Sequence, residues 1–251
     1  MTLRRADADR GFVAAQIIDE LELRDGERIL VRPIQPADGD QLAGLHARLS
    51  RDSIYWRYFG FKSALSPAEI QRFTGITEEW RFALVGVRST GQLAGVTRYE
   101  GQAGRTDAEI ALIVDDPLQH LGLGTRLLRR LVDVAVMSGM TSLTAVVLAS
   151  NRPMLHLLQA LNVPSTSARD SDSIEVRLQL AGLELPAGRS RVAAAHVAEA
   201  AAIRAGLASL RTSRKASAPP PMTGNELSGN EAGASGPGFP ACALARHGRS
   251  A

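Results

Sequence analysis

The stretch Gln119-His120-Leu121-Gly122-Leu123-Gly124-Thr125 follows an apolar, strand-like run at 108–114 (AEIALIV) and opens an amphipathic segment. A glycine-rich turn at a helix start is suited to an anion. The first backbone N–H groups of a helix lack internal partners, and the helix dipole places partial positive charge there. Glycine lets a phosphate approach the backbone without meeting a Cβ. The stretch therefore points to a phosphate-bearing ligand.

Working outward, the helix predicted from about 122 to 138 carries Leu123, Leu127, Leu128, Leu131, Val134 and Ala135 at helical spacing. Residues 143–148 read as a buried strand, so a helix crosses between two strands, which implies parallel neighbours and a right-handed crossover. Upstream, 81–87 (RFALVGV) and 93–99 (LAGVTRY) flank Ser89-Thr90-Gly91, a hairpin signal, and 108–114 completes a meander. A strand at 28–32 and a helix from Pro36-Ala37-Asp38 to about Leu49 come first. Ser66-Pro67-Ala68-Glu69 has the form of a capping box. Asn151 or Arg152 starts a helix through Leu161, and 174–180 (IEVRLQL) alternates like a last strand. The order β-α-α-β-β-β-α-β-α-β predicts an α/β (α+β) fold with a mixed sheet, antiparallel first and parallel in the middle.

Three segments are expected. Residues 1–26 form an N-terminal extension in which 12–23 (FVAAQIIDELEL) has helix-like spacing. Residues 27–181 form the domain. Residues 182–251 begin with an alanine-rich helix at 192–210, then become rich in Ser, Pro, Gly and Ala, a composition expected to stay disordered.

The 251 residues hold 29 basic and 26 acidic side chains, a net charge of +3. Apart from Lys62 and Lys215 the basic residues are arginine, which accounts for the high isoelectric point. Aromatics make up only 4%, and the densest basic run, 211–215, sits in the tail, so nucleic-acid binding is not expected. No apolar run is long enough to span a membrane, and 1–9 carry charge with no apolar run after them. The single cysteine, Cys242, supports neither a disulfide framework nor a thiolate metal site, and the five histidines show no metal-ligand spacing. A cytoplasmic protein without a metal is expected.

Two nucleotide readings fail on missing residues. There is no G-x-x-x-x-G-K-[ST], and the third glycine of a dinucleotide fingerprint is Leu127 here. The six residues Gln119-x-x-Gly122-x-Gly124 instead match Q-x-x-G-x-G, the acyl-CoA pyrophosphate signature of the GNAT acetyltransferases. Residues 28–180 resemble a whole GNAT domain, with the motif between its strand 4 and the next long helix. Leu49-Ser50-Arg51-Asp52-Ser53-Ile54-Tyr55-Trp56-Arg57-Tyr58-Phe59 is similar to the L-S-x-x-S-x-Y-x-R-[FY]-F segment of bacterial Pat-type protein lysine acetyltransferases. Asp107-Ala108-Glu109-Ile110-Ala111 resembles their fourth strand, and Asn151-Arg152-Pro153-Met154-Leu155 their E-N-x-x-M-L helix start, with Ser150 in place of the acid.

The resemblance implies acetyl-CoA as co-substrate and a sheet splayed between strands 4 and 5. The backbone of Gln119, His120, Leu121, Gly122, Leu123, Gly124 and Thr125 would hold the pyrophosphate. Ala111, Leu112, Ile113 and Val114 would lie along the pantetheine, with Asn151 nearby. A lysine amine has a pKa of about 10.4, so at neutral pH only about one in a thousand is nucleophilic. Glu109 lies within a mostly apolar strand, where desolvation favours the proton-accepting range; its position alone is equally that of a solvent-facing strand residue. The resemblance assigns it as general base. The acceptor would be a protein lysine, for example on acyl-CoA synthetase-type enzymes. A small-molecule amine acceptor, or a silent acyl-CoA-binding regulatory module, are the alternatives. Two departures bear on the last: no tyrosine follows Tyr99 to protonate the thiolate, and Asn162-Val163 replace the usual Gly-Phe. Tyr55, Trp56, Tyr58 and Phe59 read as part core, part acceptor wall, Arg57 as a contact for an acidic substrate, and Asp115-Asp116 as loop solvation before Pro117.

Overall fold

The computed structural model describes residues 19–216. Residues 12–18 of the expected N-terminal helix, the expected disordered tail beyond 216 and Cys242 lie outside them. Eight described strands form one sheet in the order β1-β2-β3-β4-β5-β6-β8-β7. They are β1 (Asp19–Glu22), β2 (Arg28–Pro33), β3 (Arg81–Arg88), β4 (Leu93–Gly101), β5 (Asp107–Val114), β6 (Ser142–Leu148), β7 (Ser165–Asp170) and β8 (Ser173–Gln179). Only β5 and β6 pair in parallel; the other neighbours are antiparallel. The helices are α1 (Gly39–Arg48), α2 (Arg51–Tyr58), α3 (Pro67–Thr74), α4 (Leu123–Met137), α5 (Arg152–Gln159) and α6 (Ala187–Ala216). The mixed α/β sheet is thus as the sequence predicts.

The two faces of the sheet build separate cores. Leu84, Tyr99, Ala108 and Ile110 turn toward α4, whose Leu123, Leu127, Leu128 and Leu131 are wholly buried. Ala83, Val85 and Leu93 turn toward Leu42 and Leu45 of α1, with Phe73 of α3 packed alongside. This alternation along each strand follows from the period of two in an extended chain. Burial on this scale, at about 25 cal/mol per Å² of apolar surface, is the main term holding the layers together.

Three expectations are corrected. Residues 19–22 form an edge strand rather than the end of a helix: Asp19 and Leu21 point inward, Glu20 and Glu22 outward, in register with Val31 to Arg28 of β2. Strand β7 was absent from the expected order because its sequence, STSARD, is exposed throughout and carries no apolar signal; backbone pairing with β8 holds it. The expected order also lacked α2, a helix through Tyr55, Trp56 and Tyr58, capped by the Ser50 hydroxyl accepting from Ser53 N–H and ended by Phe59 at φ +56.

The core also extends past 27–181 at both ends. Ala193 and Ala200 of α6 are buried in the same cluster as α4. Arg189 pairs with Asp133, which has no exposed surface. Buried His196 meets Asp19 at 3.0 Å, and Arg130 grips the same carboxylate at 2.8 and 3.0 Å. Among the described residues, no helix is long and apolar enough to cross a membrane.

Candidate functional site

The parallel pairing of β5 with β6 is short. It covers Asp107 with Ser142, Ala108 with Leu143 and Glu109 with Thr144, and then stops. Beyond it β5 stays paired with β4 through Val114, and β6 stays paired with β8 through Leu148. The two strands therefore diverge, and the opening is a cavity of about 660 Å³ lined by Glu109 to Val114 on one side and Ala145 to Val147 on the other. Antiparallel registers alternate the direction of backbone groups. Asp115 N–H bonds Ala94 on β4, so alternate β5 residues turn their backbone groups away from β4: the Ile110 N–H completes the last bridge to Thr144, the Val114 C=O accepts from Gln119, and the Ile110 C=O, both groups of Leu112 and the Val114 N–H face the opening.

Glu109 stands at the apex of this wedge, half-buried, as the last β5 residue in register with β6. Its side chain shares a sheet face with Glu100 directly opposite. At the mouth, Gln119, His120, Gly122, Gly124 and Thr125 line the cavity, as does Asn151 across from them. Leu121 and Leu123 do not line it: Leu123 is wholly buried in the α4 core and Leu121 packs against that core, so only their backbone is available to a ligand.

The glycine turn is built by local geometry. His120 and Gly122 both take left-handed backbone, at φ +61 and φ +92. Gly122 is the N-cap of α4, makes no side-chain cap, and would offer open space around an added Cβ. The first α4 N–H groups are thus left without a side-chain acceptor, in a cradle open to an oxyanion. Gly124 sits in a close-packed place: a Cβ there would sit 2.9 Å from Leu157 Cδ1 and 3.3 Å from Leu112 Cδ2, so these side-chain ends would have to shift. The absence of a side chain at 124 lets α4, α5 and β5 converge.

The expected loop solvation at Asp115-Asp116 is corrected. Asp115 is buried and accepts from Arg48 at 3.0 Å. Asp116 accepts from Ser50 N–H at 2.5 Å, Ser53 Oγ at 2.5 Å and Gln119 Nε2 at 2.7 Å. These two acids tie α1 and α2 to the loop between β5 and α4. Asn151 caps α5 by accepting from Met154 N–H at 3.1 Å.

On the remaining wall, Ser53, Trp56 and Arg57 come from α2 and Phe59 from its C-cap, while Tyr58 turns inward and Tyr55 remains exposed. Burial pushes the Tyr58 phenol above its ordinary pKa, against the pull of Arg57, Arg98 and Lys62. Sequence reasoning missed Arg24, whose guanidinium donates to His120 O at 3.2 Å and whose N–H bonds Leu121 O. It comes from the β1–β2 turn, remote in sequence, and carries no local signal. It also missed Pro153, His156, Leu157 and Ala160, which line the cavity from one face of α5 and its C-cap. Their spacing of three, four and seven residues from Pro153 was the available clue. No three His, Cys, Asp or Glu side chains among the described residues are grouped to hold a metal ion.

Comparison with known proteins gives three findings. Residues 51–162 match the model of the Acetyltransferase (GNAT) family. Acetyltransferase PA5475 of Pseudomonas aeruginosa is 32% identical over 162 residues, covering 63% of this chain and 87% of that protein. The crystal structure of the GNAT domain of S. lividans PAT superposes with a TM-score of 0.60 at 25% identity, over 64% of this chain and 96% of that one. A cAMP-binding acyltransferase from Mycobacterium smegmatis shares the fold, with a TM-score of 0.52 at 19% identity, over 74% of this chain and 56% of that one.

Proposed function

The chain belongs to the GNAT acetyltransferase family, and from that premise we propose that it transfers the acetyl group of acetyl-CoA to the side-chain amine of a protein lysine, with Glu109 as general base. The observation that carries this reading is the wedge itself. One chain segment brings the uncapped N-terminus of α4 to its mouth and Glu109 to its apex, with β5 backbone that β6 no longer pairs, at Leu112 above all, between.

The N–H groups at the start of α4 hold the pyrophosphate, with Gly122 admitting it closely. The Ile110 C=O, both backbone groups of Leu112 and the Val114 N–H, which β6 leaves open, bond the pantetheine amides. Glu109 accepts the proton of the attacking amine as its nitrogen bonds the thioester carbon; a positioned base of this kind contributes about 10²–10⁴-fold. A β5 N–H facing the wedge stabilises the developing oxyanion. Collapse breaks the carbon–sulfur bond, and the thiolate takes its proton from water, since no tyrosine follows Tyr99.

The lysine acceptor rests on the resemblance of residues 49–59 to the Pat-type segment and on the likeness to the GNAT domain of S. lividans PAT. Exposed Tyr55 and Phe61, on α2 and just beyond it, offer aromatic contact to a protein surface. The test is incubation of the full chain with labelled acetyl-CoA and either acyl-CoA synthetases or small amines. Label on lysine supports the reading. Label only on small amines overturns the acceptor class, and no transfer together with tight acetyl-CoA binding overturns catalysis.

A further inference from the structure

Behind α2 lies a second, smaller cavity of about 30 Å³, which shares Arg57 and Ala111 to Ile113 with the large one. His46 of α1, Tyr58 of α2, Phe73 of α3 and Arg98 of β4 close it. The sheet register explains the space. Arg98 stands between Ala83 on β3 and Ala111 on β5, so both cross-strand neighbours are small. Its guanidinium lies over the Phe73 ring, 3.9 Å from the centroid.

Among the described residues, no carboxylate lines this cavity. Glu100, which attracts Arg98, is engaged by Arg72 and Arg81. Glu69 is engaged by Lys62 at 2.8 Å. Among the described residues, neither Arg57 nor Arg98 has a carboxylate at salt-bridge distance; their close partners are the Tyr58 and Phe73 rings. His46 is 4% exposed, and its Nε2 has no hydrogen-bond partner. Buried polar atoms are nearly always paired, so the orphaned His46 Nε2 calls for a partner, and the two half-buried guanidinium groups beside it make a negatively charged one suitable.

We propose that this cavity is an acceptor-side subsite for a carboxylate carried by the acceptor molecule, gripped by Arg57 and Arg98 and closed by His46, while the acceptor amine faces Glu109. The inference rests on the N-acetyltransferase reading above. Arg98 and Glu109 are diagonal neighbours on one sheet face, about 7–8 Å apart at Cα for such a pair, so one acceptor reaches both. The volume suits about two waters, which the two carboxylate oxygens replace. Burial, and after it the field of Arg57, push the Arg98 guanidinium down to about 9, still charged at neutral pH. Burial and the Lys62 cation push His46 below its ordinary value. A carboxylate relieves both conditions. Two sources share this chemistry: an acidic side chain beside the lysine of a protein acceptor, or the carboxylate of a free amino acid.

The experiment has two readouts on the full chain. In the first, glutarate is titrated calorimetrically into the CoA-saturated protein and into Arg98→Gln and Arg57→Gln, after thermal melts show which variants fold. Binding by the unaltered chain that weakens about tenfold or more in either folded variant is expected, as for loss of a charge-assisted hydrogen bond. No glutarate binding, or binding unchanged in both variants, overturns the subsite and indicates ordered water there. In the second, kcat/KM is compared for lysine peptides with and without an adjacent glutamate, and for lysine against lysinamide. A preference for the acidic peptide, or for free lysine, identifies the source. Transfer without any such preference overturns the subsite alone. Glutarate binding with no transfer to any acceptor supports the anion site and overturns the reaction assigned to it.

Discussion

The Gln119 side-chain amide donates to the Ser53 hydroxyl at 3.0 Å, joining the loop before α4 to the first turn of α2. The same nitrogen lies 2.7 Å from Asp116 Oδ1 and 3.3 Å from Val114 O. The glutamine of the Q-x-x-G-x-G stretch thus holds the loop before α4 against α2, which walls the same cavity. Gln119→Ala removes this junction and is expected to cost about 1–2 kcal/mol of stability. It should also raise KM for acetyl-CoA and for the acceptor together, because both walls lose their common tie. Steady-state kinetics with a thermal melt checks this; a change confined to one substrate contradicts the shared role.

Gly122 and Gly124 are needed for different reasons, and substitution separates them. At 122 the constraint is a left-handed backbone in open space, so Gly122→Asn is expected to be tolerated and Gly122→Ala to cost about 1–2 kcal/mol. At 124 the constraint is contact with the Leu157 and Leu112 side-chain ends, which give way to a single Cβ, so Ala is expected to cost little and the larger Asn to overpack, at about 1–3 kcal/mol. Denaturant melts distinguish the patterns: a Gly124→Asn variant as stable as Gly122→Asn contradicts the packing account.

The sequence showed the strands whose side chains alternate in burial and the helix α4 whose apolar stripe is continuous. It also showed the glycine turn, because the conformations such a turn requires select particular residues. It did not show β7, which is held by backbone hydrogen bonds that leave no trace in side-chain pattern. Nor did it show Arg24 or the buried pairing of Asp115 with Arg48, since those contacts join residues far apart in the chain. Polar residues before a proline read as solvated until the fold supplies their partners.

Asp19 gives a pH dependence with a definite sign. Burial alone would raise its pKa, but hydrogen bonds from His196 and Arg130 outweigh that and hold it below the ordinary aspartate value of 3.8. The unfolded chain therefore takes up this proton first. The contribution is complete above 3.8 and is lost as pH falls through the lower folded value. Urea unfolding between neutral pH and the acid limb should show Asp19→Asn less stable near neutrality and flatter toward acid. Parallel curves for the two proteins contradict this role.

Helix α6 belongs energetically to the core. Ending the chain before Arg189 leaves wholly buried Asp133 without its partner and exposes the surface covered by Ala193 and Ala200. A truncation after Gly182 is expected to lose about 3 kcal/mol or more. Equal denaturant midpoints for the truncated and full chains contradict the docking of α6.

The central claim is that Glu109, at the apex of the β5–β6 wedge, takes the proton of the acceptor amine. The most direct measurement is the pre-steady-state rate of acetyl transfer by Glu109→Gln at saturating acetyl-CoA, beside calorimetric binding of acetyl-CoA to the same variant. The expected result is a fall of about 10²–10⁴-fold in the transfer rate with cofactor affinity retained. A transfer rate equal to that of the unaltered chain would contradict the account.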